Sequence, residues 1–303
     1  MKQVEVFLKG LWIGGTMTVP GVSGGTMAIL LGIYDRLIRA INGLVPGRAK
    51  KTKQDMVQDT PRETGAEAGW WPAYRLVAGK SMLFLAIFLA GAGGGMFAFA
   101  KIISGLLEQP VAGSYVRFFF LGAVAGGIPL ILASAGVKKF SVWCVLLPLV
   151  GAGLVYSLTF LPEEMFSLGE TAGVGAFLLK LVGGVLLAVA LVLPGVSASQ
   201  MLYTLGIYEE MMACISDLRL LPLVPIGVGT AVGIVLVTKV LETLMTRYPK
   251  QTFLIIFGFI LGSIPELYPR NAEGNSLLCG VCVAVGFLGA YVIGKRERQK
   301  EEV

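Results

Sequence analysis

Long apolar stretches dominate the chain, and their lengths predict helices that cross a membrane. A helix needs about 20 mainly apolar residues to span the hydrocarbon layer. Six stretches meet this requirement and are separated by short polar turns. We therefore predict an all-α polytopic membrane protein, with transmembrane helices over residues 76–104, 115–135, 141–160, 220–243, 252–269 and 276–294.

Two further apolar regions are interrupted by residues that end helices. Region 6–41 breaks at PGVSGG and region 174–215 breaks at PGVSAS. In a helix interior, proline costs about 3 kcal/mol and glycine about 1 kcal/mol relative to alanine. Each region therefore predicts two short arms around a break. We expect each pair of arms to form a re-entrant hairpin with its tip near mid-membrane; two marginal spans are the alternative.

The two broken regions are related in sequence. Residues 20–37 align without a gap on residues 194–211, and nine of the eighteen positions are identical. A second match relates residues 118–130 to 254–266 through the pattern G-x-x-x-G-x-I-P. Each half then holds one hairpin and three spans, and because three is odd, the halves are predicted to be inverted relative to each other. The predicted repeats cover residues 1–160 and 174–303.

The paired breaks are the candidate functional site, since broken helices at matching positions of inverted halves mark the binding sites of transporters. A helix that starts within the membrane exposes backbone N–H groups, and its partly positive end favours anions, phosphate in particular. Serine and threonine cap such an end, and glycine allows close approach of a ligand. A tight turn with structural glycines is the alternative interpretation. The predicted phosphate-binding residues here are Ser23, Gly24, Gly25, Thr26, Ser197, Ala198, Ser199 and Gln200.

Charged residues in or near the predicted spans extend this site. Charges inside a membrane are costly, so they usually serve a pathway or extend to the surface. Lys101 and Lys239 lie at corresponding places in the two halves, and Arg117 lies toward the outer side. We predict that these three cations contact the anion, with snorkelling as the alternative. Asp35 and Glu209 share one alignment column and are candidate groups for H⁺ or Na⁺ coupling, or else surface residues at helix ends.

Composition supports a membrane protein and sets its orientation. Only 15% of the 303 residues are charged, against about 25% in soluble domains. The net charge is +6, and the basic residues lie mostly in loops such as 43–75 and in the C-terminal tail, whereas the loops at the opposite ends carry glutamates. Because basic loops stay in the cytoplasm, both termini are predicted to be cytoplasmic. Neither a nucleic-acid partner nor an oligomeric state is indicated.

Enzymatic function is disfavoured because the sequence lacks the residues that most catalytic mechanisms use. The chain has no histidine, which removes the commonest general base and the commonest transition-metal ligand. We find no clustered acidic pair for a metal and no nucleophile–base motif. We therefore predict no catalytic residues, no metal site and no cofactor. A membrane scaffold would leave the two inverted breaks unexplained.

The PGVSGGTMAILLGIYDRLI segment, its PGVSAS…LGIYEE counterpart and the two G-x-x-x-G-x-I-P segments resemble the polyprenyl-phosphate transporter family of bacteria and archaea. The resemblance covers essentially the whole chain. It implies movement of undecaprenyl phosphate from the outer to the inner leaflet of the cytoplasmic membrane, which recycles the lipid carrier for peptidoglycan and other envelope polymers. The second copy reads SAS-Q where the first reads SGG-T, so close backbone approach is expected more at Gly24 and Gly25 than at Ala198 and Ser199.

A secondary transporter of a small soluble anion is the alternative function. It would use the same anion site, and its cavity would differ only in not opening to the lipid.

Overall fold

The structure, a computed structural model, describes residues 2–19, 21–45, 70–136, 141–158, 173–217, 219, 221–269 and 272–302. Within these ranges the chain is helical and contains no strand, which confirms the predicted all-α class. The helices are α1 Gln3–Thr16, α2 Gly24–Leu30, α3 Tyr34–Gly43, α4 Trp70–Leu107, α5 Pro110–Ser134, α6 Trp143–Leu158, α7 Gly173–Val192, α8 Ala198–Thr204, α9 Tyr208–Ser216, α10 Val224–Arg247, α11 Pro249–Leu267 and α12 Ser276–Glu302, with a 3₁₀ turn at Leu221–Leu223 before α10.

Six of these helices are long and apolar enough to cross a membrane, namely α4, α5, α7, α10, α11 and α12. Helix α6 is apolar but has 16 residues within the described range. Apolar side chains cover the outside, as a lipid-facing surface requires; Phe97, for example, is 90% exposed. A soluble protein rarely exposes apolar surface on this scale. The protein is therefore a multi-pass membrane protein.

The first arms of the two hairpins differ in length. Helix α1 has 14 residues and rises about 21 Å, short of the roughly 30 Å of a hydrocarbon core. Helix α7 has 20 residues, about 30 Å, and meets the length criterion for a span. The break that follows each arm separates it from a helix of only seven residues, α2 or α8.

Four helix pairs form the framework: α1 with α4, α7 with α10, α5 with α12, and α6 with α11. Glycine lets the backbones touch, because a β-carbon at one position in each pair would lie within 2.3 Å of a backbone oxygen of its partner. Close backbone approach through small residues is the usual basis of helix pairing in membranes. These contacts are Gly14 with Ala92, Gly184 with Ile226, Gly122 with Val283 and Gly258 with Pro148.

The helices of each pair run in the same direction. In α5 and α12, Gly122 contacts Val283 and Gly126 contacts Phe287, so the contacts advance together along both chains. The other pairs show the same order: Phe7–Gly91 precedes Leu11–Gly95, Leu181–Gly229 precedes Val185–Gly233, and Pro148–Gly258 precedes Ala152–Gly262. The pairs α1–α4 and α7–α10 lie within one half each, whereas the other two pairs join the halves.

Candidate functional site

The two breaks have the same backbone conformation. Gly21 has φ +84° and Gly195 has φ +82°, values that favour glycine because a β-carbon is strained there. Ser23 and Ser197 then precede α2 and α8 as N-caps, with φ of −82° and −83°. The repeated sequence therefore gives a repeated local structure.

The two breaks also touch each other in the interior. The Gly195 N–H donates to Thr26 Oγ1 at 3.0 Å, and Thr26 is only 2% exposed. A β-carbon at Gly25 would lie 3.1 Å from the Pro194 nitrogen. Just beyond, the Tyr34 hydroxyl donates to the Val192 carbonyl at 2.8 Å. Gly25 and Thr26 of the first break therefore face the second break. The two breaks, although distant in sequence, pack together in the interior.

We expect Thr26→Val to destabilise the contact between the breaks. Valine keeps the shape of threonine but leaves the buried Gly195 N–H without its acceptor, which costs about 1–3 kcal/mol. Thr26→Ser retains the hydroxyl and serves as the control. Apparent Tm of the detergent-solubilised protein measures the effect, and a Tm for the valine variant equal to that of the serine variant would contradict the role of this hydrogen bond.

A cavity of about 320 Å³, here called the inter-break cavity, lies where the two breaks meet. Its walls combine both predicted half-sites with apolar residues of the first arms. No charged side chain lines it among the described residues. The lining residues are Met17, Val19, Val22, Ser23, Gly24, Ala190, Leu191, Val196, Ser197, Ala198 and Ser199.

The two cap serines of this cavity differ in their bonding. Ser197 Oγ accepts the Gln200 N–H at 3.4 Å. Ser23 is 5% exposed, and its hydroxyl has no hydrogen-bond partner among the described residues. A buried hydroxyl without a partner is costly, which makes Ser23 a candidate donor to a bound anion. Helices α2 and α8 have seven residues each, so their dipoles are short. The local N–H and O–H groups therefore contribute more to anion binding than the helix dipoles do.

A second cavity of about 360 Å³, here called the Glu266 cavity, adjoins the first through Val196 and Ser197, which line both. Gln200 and Thr204 also line it. Glu266 lines it together with Ser197 and lies within electrostatic reach of the Arg117 guanidinium. This group was not among the predicted site residues. The sequence signal for it was the alignment of residues 254–266 on 118–130, where Glu266 faces a leucine.

Lys101 and Lys239 lie apart from both cavities. Each is exposed, on α4 and α10 respectively, and neither is among the lining residues. Arg117 on α5 is half-buried and is the predicted cation that reaches this centre, through Glu266. The donors of the inter-break cavity are consequently hydroxyl and backbone groups.

The paired acids Asp35 and Glu209 are both exposed. Asp35 lines a separate cavity of about 560 Å³, together with Ser134 and Arg298. Beside Glu209, the next residue Glu210 binds the buried Lys180 with both carboxylate oxygens, at 2.6 and 2.9 Å. This ion pair links the two arms of the second hairpin.

A buried ion pair joins the first arm of the first hairpin to α12. Lys9 on α1 contacts Glu297 on α12, and it lies 3.3 Å from Glu5 one turn earlier. In the part of the chain that the structure describes, no group of three cysteine or acidic side chains is placed to hold a metal ion.

Comparison with known proteins identifies the family of this chain. Residues 13–278 match the undecaprenyl phosphate translocase-like family over most of the chain. The chain belongs to this family. The family resemblance predicted from the doubled PGVS motif is thereby confirmed.

Two curated relatives are similar over most of their length. A polyprenyl-phosphate transporter of Vibrio cholerae is 29% identical over 272 residues, covering 89% of this chain and 79% of the relative. A polyprenyl-phosphate transporter of Staphylococcus aureus is 27% identical over 306 residues, covering 97% of each chain. No solved structure matches the chain.

Proposed function

We propose that this protein translocates polyprenyl phosphate, specifically undecaprenyl phosphate, from the outer to the inner leaflet of the cytoplasmic membrane. This transport recycles the lipid carrier for peptidoglycan and other envelope polymers. Membership of the undecaprenyl phosphate translocase-like family and the two relatives named polyprenyl-phosphate transporters support the proposal. In this function the protein is a transporter and not an enzyme, with both termini in the cytoplasm.

The meeting of the two breaks around the inter-break cavity carries the proposal. A phosphate monoester has a charge of about −1.5 to −2 at neutral pH and accepts several hydrogen bonds. The cavity offers it the buried Ser23 hydroxyl, which has no partner among the described residues, and the hydroxyl of Ser199. Met17 packs against Gly24, with its Sδ 2.7 Å from where a β-carbon would lie, so the flexible Met17 side chain covers this part of the backbone.

In the proposed mechanism only the head group leaves the lipid. The prenyl chain stays in the lipid beside the apolar outer surface of the protein, so no apolar group of the chain is exposed to water. The phosphate crosses through the polar centre. Arg117 offsets part of the phosphate charge near the breaks. Lys101 and Lys239, exposed on α4 and α10, are proposed to attract the head group along the outside of the bundle. Asp35 and Glu209 remain candidates for coupling to H⁺ or Na⁺.

An inverted arrangement of the two halves is part of the proposal. Successive spans alternate in direction, so α4 opposes α5, and α10 has the direction of α12. Because the contacts of α5 with α12 run parallel, α4 and α10, the corresponding spans of the two halves, point in opposite directions. Two breaks that approach the centre from opposite faces suit alternating access.

The pairs between halves limit how such access can occur. Sliding one half past the other would separate α5 from α12 and α6 from α11, whose backbones touch at glycines. We therefore propose that the hairpin-bearing pairs α1–α4 and α7–α10 move against a framework of α5, α6, α11 and α12. This movement must break the Lys9–Glu297 contact between α1 and α12 and the close approach of Gly195 to Phe259 on α11.

A liposome assay tests the function. Purified protein is reconstituted with fluorescent polyprenyl phosphate, and leaflet accessibility is followed with and without an H⁺ or Na⁺ gradient. We expect protein-dependent movement of the phosphate but not of the uncharged polyprenol. Uptake of soluble phosphate with no lipid movement would instead favour a small-anion carrier.

We expect Ser23→Ala to reduce transport of polyprenyl phosphate by about tenfold or more while expression stays normal, since a hydrogen bond to a charged group contributes about 1.5–3 kcal/mol. Ser157→Ala is the matched control, because Ser157 is exposed and bonds only locally, to the Leu154 carbonyl. The liposome assay gives the rates. Equal transport by both variants would remove Ser23 from the site.

A further inference from the structure

The cavity of about 560 Å³ beside Asp35, here called the Arg298 cavity, is separate from the two cavities at the breaks. It lies between the first hairpin, the end of α5 and the C-terminal part of α12. These elements pack closely there, because a β-carbon at Gly294 on α12 would clash with Leu130 Cδ1 on α5 and lie 3.1 Å from the Leu30 carbonyl oxygen on α2. The walls of the cavity are therefore built by tertiary packing.

The Arg298 cavity corresponds to the Glu266 cavity through the sequence repeat. The Glu266 cavity lies between the second hairpin and the C-terminal parts of α6 and α11, and the Arg298 cavity between the first hairpin and the C-terminal parts of α5 and α12. Helices α5 and α11 are the second spans of the two halves, and α6 and α12 are the third. Leu130 and Glu266 share one alignment column, and each lines one of these cavities. The fold therefore builds the same kind of cavity twice.

The two corresponding cavities lie toward opposite faces of the membrane in the inverted arrangement proposed above. Helix α5 runs parallel to α12, and α6 runs parallel to α11. Because successive spans alternate in direction, the C-terminal ends of α5 and α12 reach the face opposite to that of α6 and α11. With both termini in the cytoplasm, the Arg298 cavity is on the cytoplasmic side of the breaks and the Glu266 cavity on the outer side.

The lining of the Arg298 cavity suits a phosphate group that is about to leave the protein. Arginine presents its N–H donors in a planar fork that matches phosphate oxygens, and Arg298 Nη2 donates to the Ala133 carbonyl at 3.4 Å, which places the guanidinium at the end of α5. Asp35 and Ser134 are exposed, so the cavity opens to the outside. The Asp35 carboxylate opposes tight binding of an anion, and a site on a transport path must let its ligand leave.

We infer that the Arg298 cavity is a second binding site for the phosphate head group of the polyprenyl lipid, at the cytoplasmic end of its path. The inference rests on the proposed function and orientation. Helix α2 connects this site to the inter-break cavity, since Gly24 at its start lines one cavity and Ile29 near its end lines the other. The phosphate moves about 10 Å along α2 to reach Arg298. Exposed apolar side chains such as Leu132 leave lipid contact for the prenyl chain.

Protection of an introduced cysteine tests this site. Ser134→Cys, in a chain whose four native cysteines are replaced by alanine, places a thiol in the cavity, and the hydroxyl it replaces bonds locally, to the Leu130 carbonyl at 3.1 Å. A membrane-impermeant maleimide should label this thiol in inverted vesicles, whose cytoplasmic face is outward, and not in right-side-out vesicles. In the purified protein, polyprenyl phosphate at about ten times its Kd should lower the labelling rate about tenfold, whereas polyprenol should not.

Charge variants in the same background identify the groups that hold the phosphate. Arg298→Gln should raise the concentration of polyprenyl phosphate needed for protection by about tenfold or more, because a hydrogen bond to a charged group is lost. Arg296→Gln is the matched control, since Arg296 is exposed on the same helix and does not line the cavity. Asp35→Asn should lower the concentration needed, because a repulsive charge is removed.

The outcomes separate this inference from the proposed function. If the protein moves polyprenyl phosphate in the liposome assay but the lipid gives no protection, the inference is wrong and the proposed function stands. Equal protection of the two arginine variants, or labelling from the outer face alone, would also overturn the inference. Protection without lipid movement would support the site and contradict the proposed function. Protection by inorganic phosphate but not by the lipid would assign the cavity to a soluble anion and overturn both.

Discussion

Replacing Gly195 with alanine is expected to lower the stability of the protein strongly, by roughly 2–5 kcal/mol. Gly195 has φ +82°, and a β-carbon there would lie 2.4 Å from the Phe259 carbonyl oxygen on α11. A left-handed conformation costs a residue with a β-carbon about 1–2 kcal/mol, and overpacking adds about 1–3 kcal/mol. Total folding stabilities are only about 5–15 kcal/mol, so much of the protein should fail to fold.

Two other glycines with nearly the same φ serve as controls. Gly21 has φ +84° but would bring its β-carbon no closer than 3.2 Å to a neighbour, the flexible Glu266 side chain. Gly173 has φ +87° and no described atom within 4 Å of that position. Apparent Tm in detergent, taken at one heating rate because unfolding of such proteins is commonly irreversible, should fall most for Gly195→Ala and least for Gly173→Ala. Equal losses for all three would mean that backbone strain alone decides the effect.

Lys180→Met is expected to produce the second large loss of stability. Lys180 is 8% exposed and binds both carboxylate oxygens of Glu210, joining α7 to α9. Removing one member of a buried ion pair costs about 3–5 kcal/mol, because the other charge is left without compensation. Glu210 is about a quarter exposed, so we expect a loss near the lower end of that range, measured again as apparent Tm.

The double variant Lys180→Met/Glu210→Met identifies the origin of this loss. Replacing both members of a buried pair with apolar residues is often neutral, so the double variant should recover most of the stability. Glu209→Gln changes the neighbouring, exposed acid and should leave Tm unchanged. A double variant as unstable as Lys180→Met would show that packing of the lysine stem, and not the ion pair, is what matters.

The positions of the two breaks could be predicted because they depend on local sequence. Proline and glycine disfavour a helix interior, and here they stand side by side in a PGVS segment that occurs twice in the same context. Accordingly, α1 ends at Thr16 and α7 ends at Val192. Helices α2 and α8 begin directly after Ser23 and Ser197. The isolated prolines Pro129, Pro148 and Pro265, in contrast, lie inside helices. The all-α membrane class could be predicted for the same reason, because the lengths of the apolar stretches are also a property of local sequence.

Side-chain partners could not be predicted, because they depend on how helices rotate and pack against each other. Glu266 lies against Gly21 of the first break and shares a cavity with Ser197 of the second because of where α11 packs, and no spacing along the chain indicates this. Lys180 has no counterpart in the other half, so the repeat indicates no partner for it, yet it binds Glu210 on the returning arm. Lys101 and Lys239 correspond in sequence, but correspondence does not set which way a side chain faces, and both are exposed.

The pairing of α5 with α12 and of α6 with α11 also bears on how such a chain can arise. In each of these pairs a glycine face of one half is covered by a backbone from the other half. A single half standing alone would expose those faces, and a second copy of it in the opposite orientation would cover them. With the halves inverted as proposed, an ancestral half-length protein would have needed an antiparallel homodimer to cover those faces, and gene duplication with fusion would have made that association permanent.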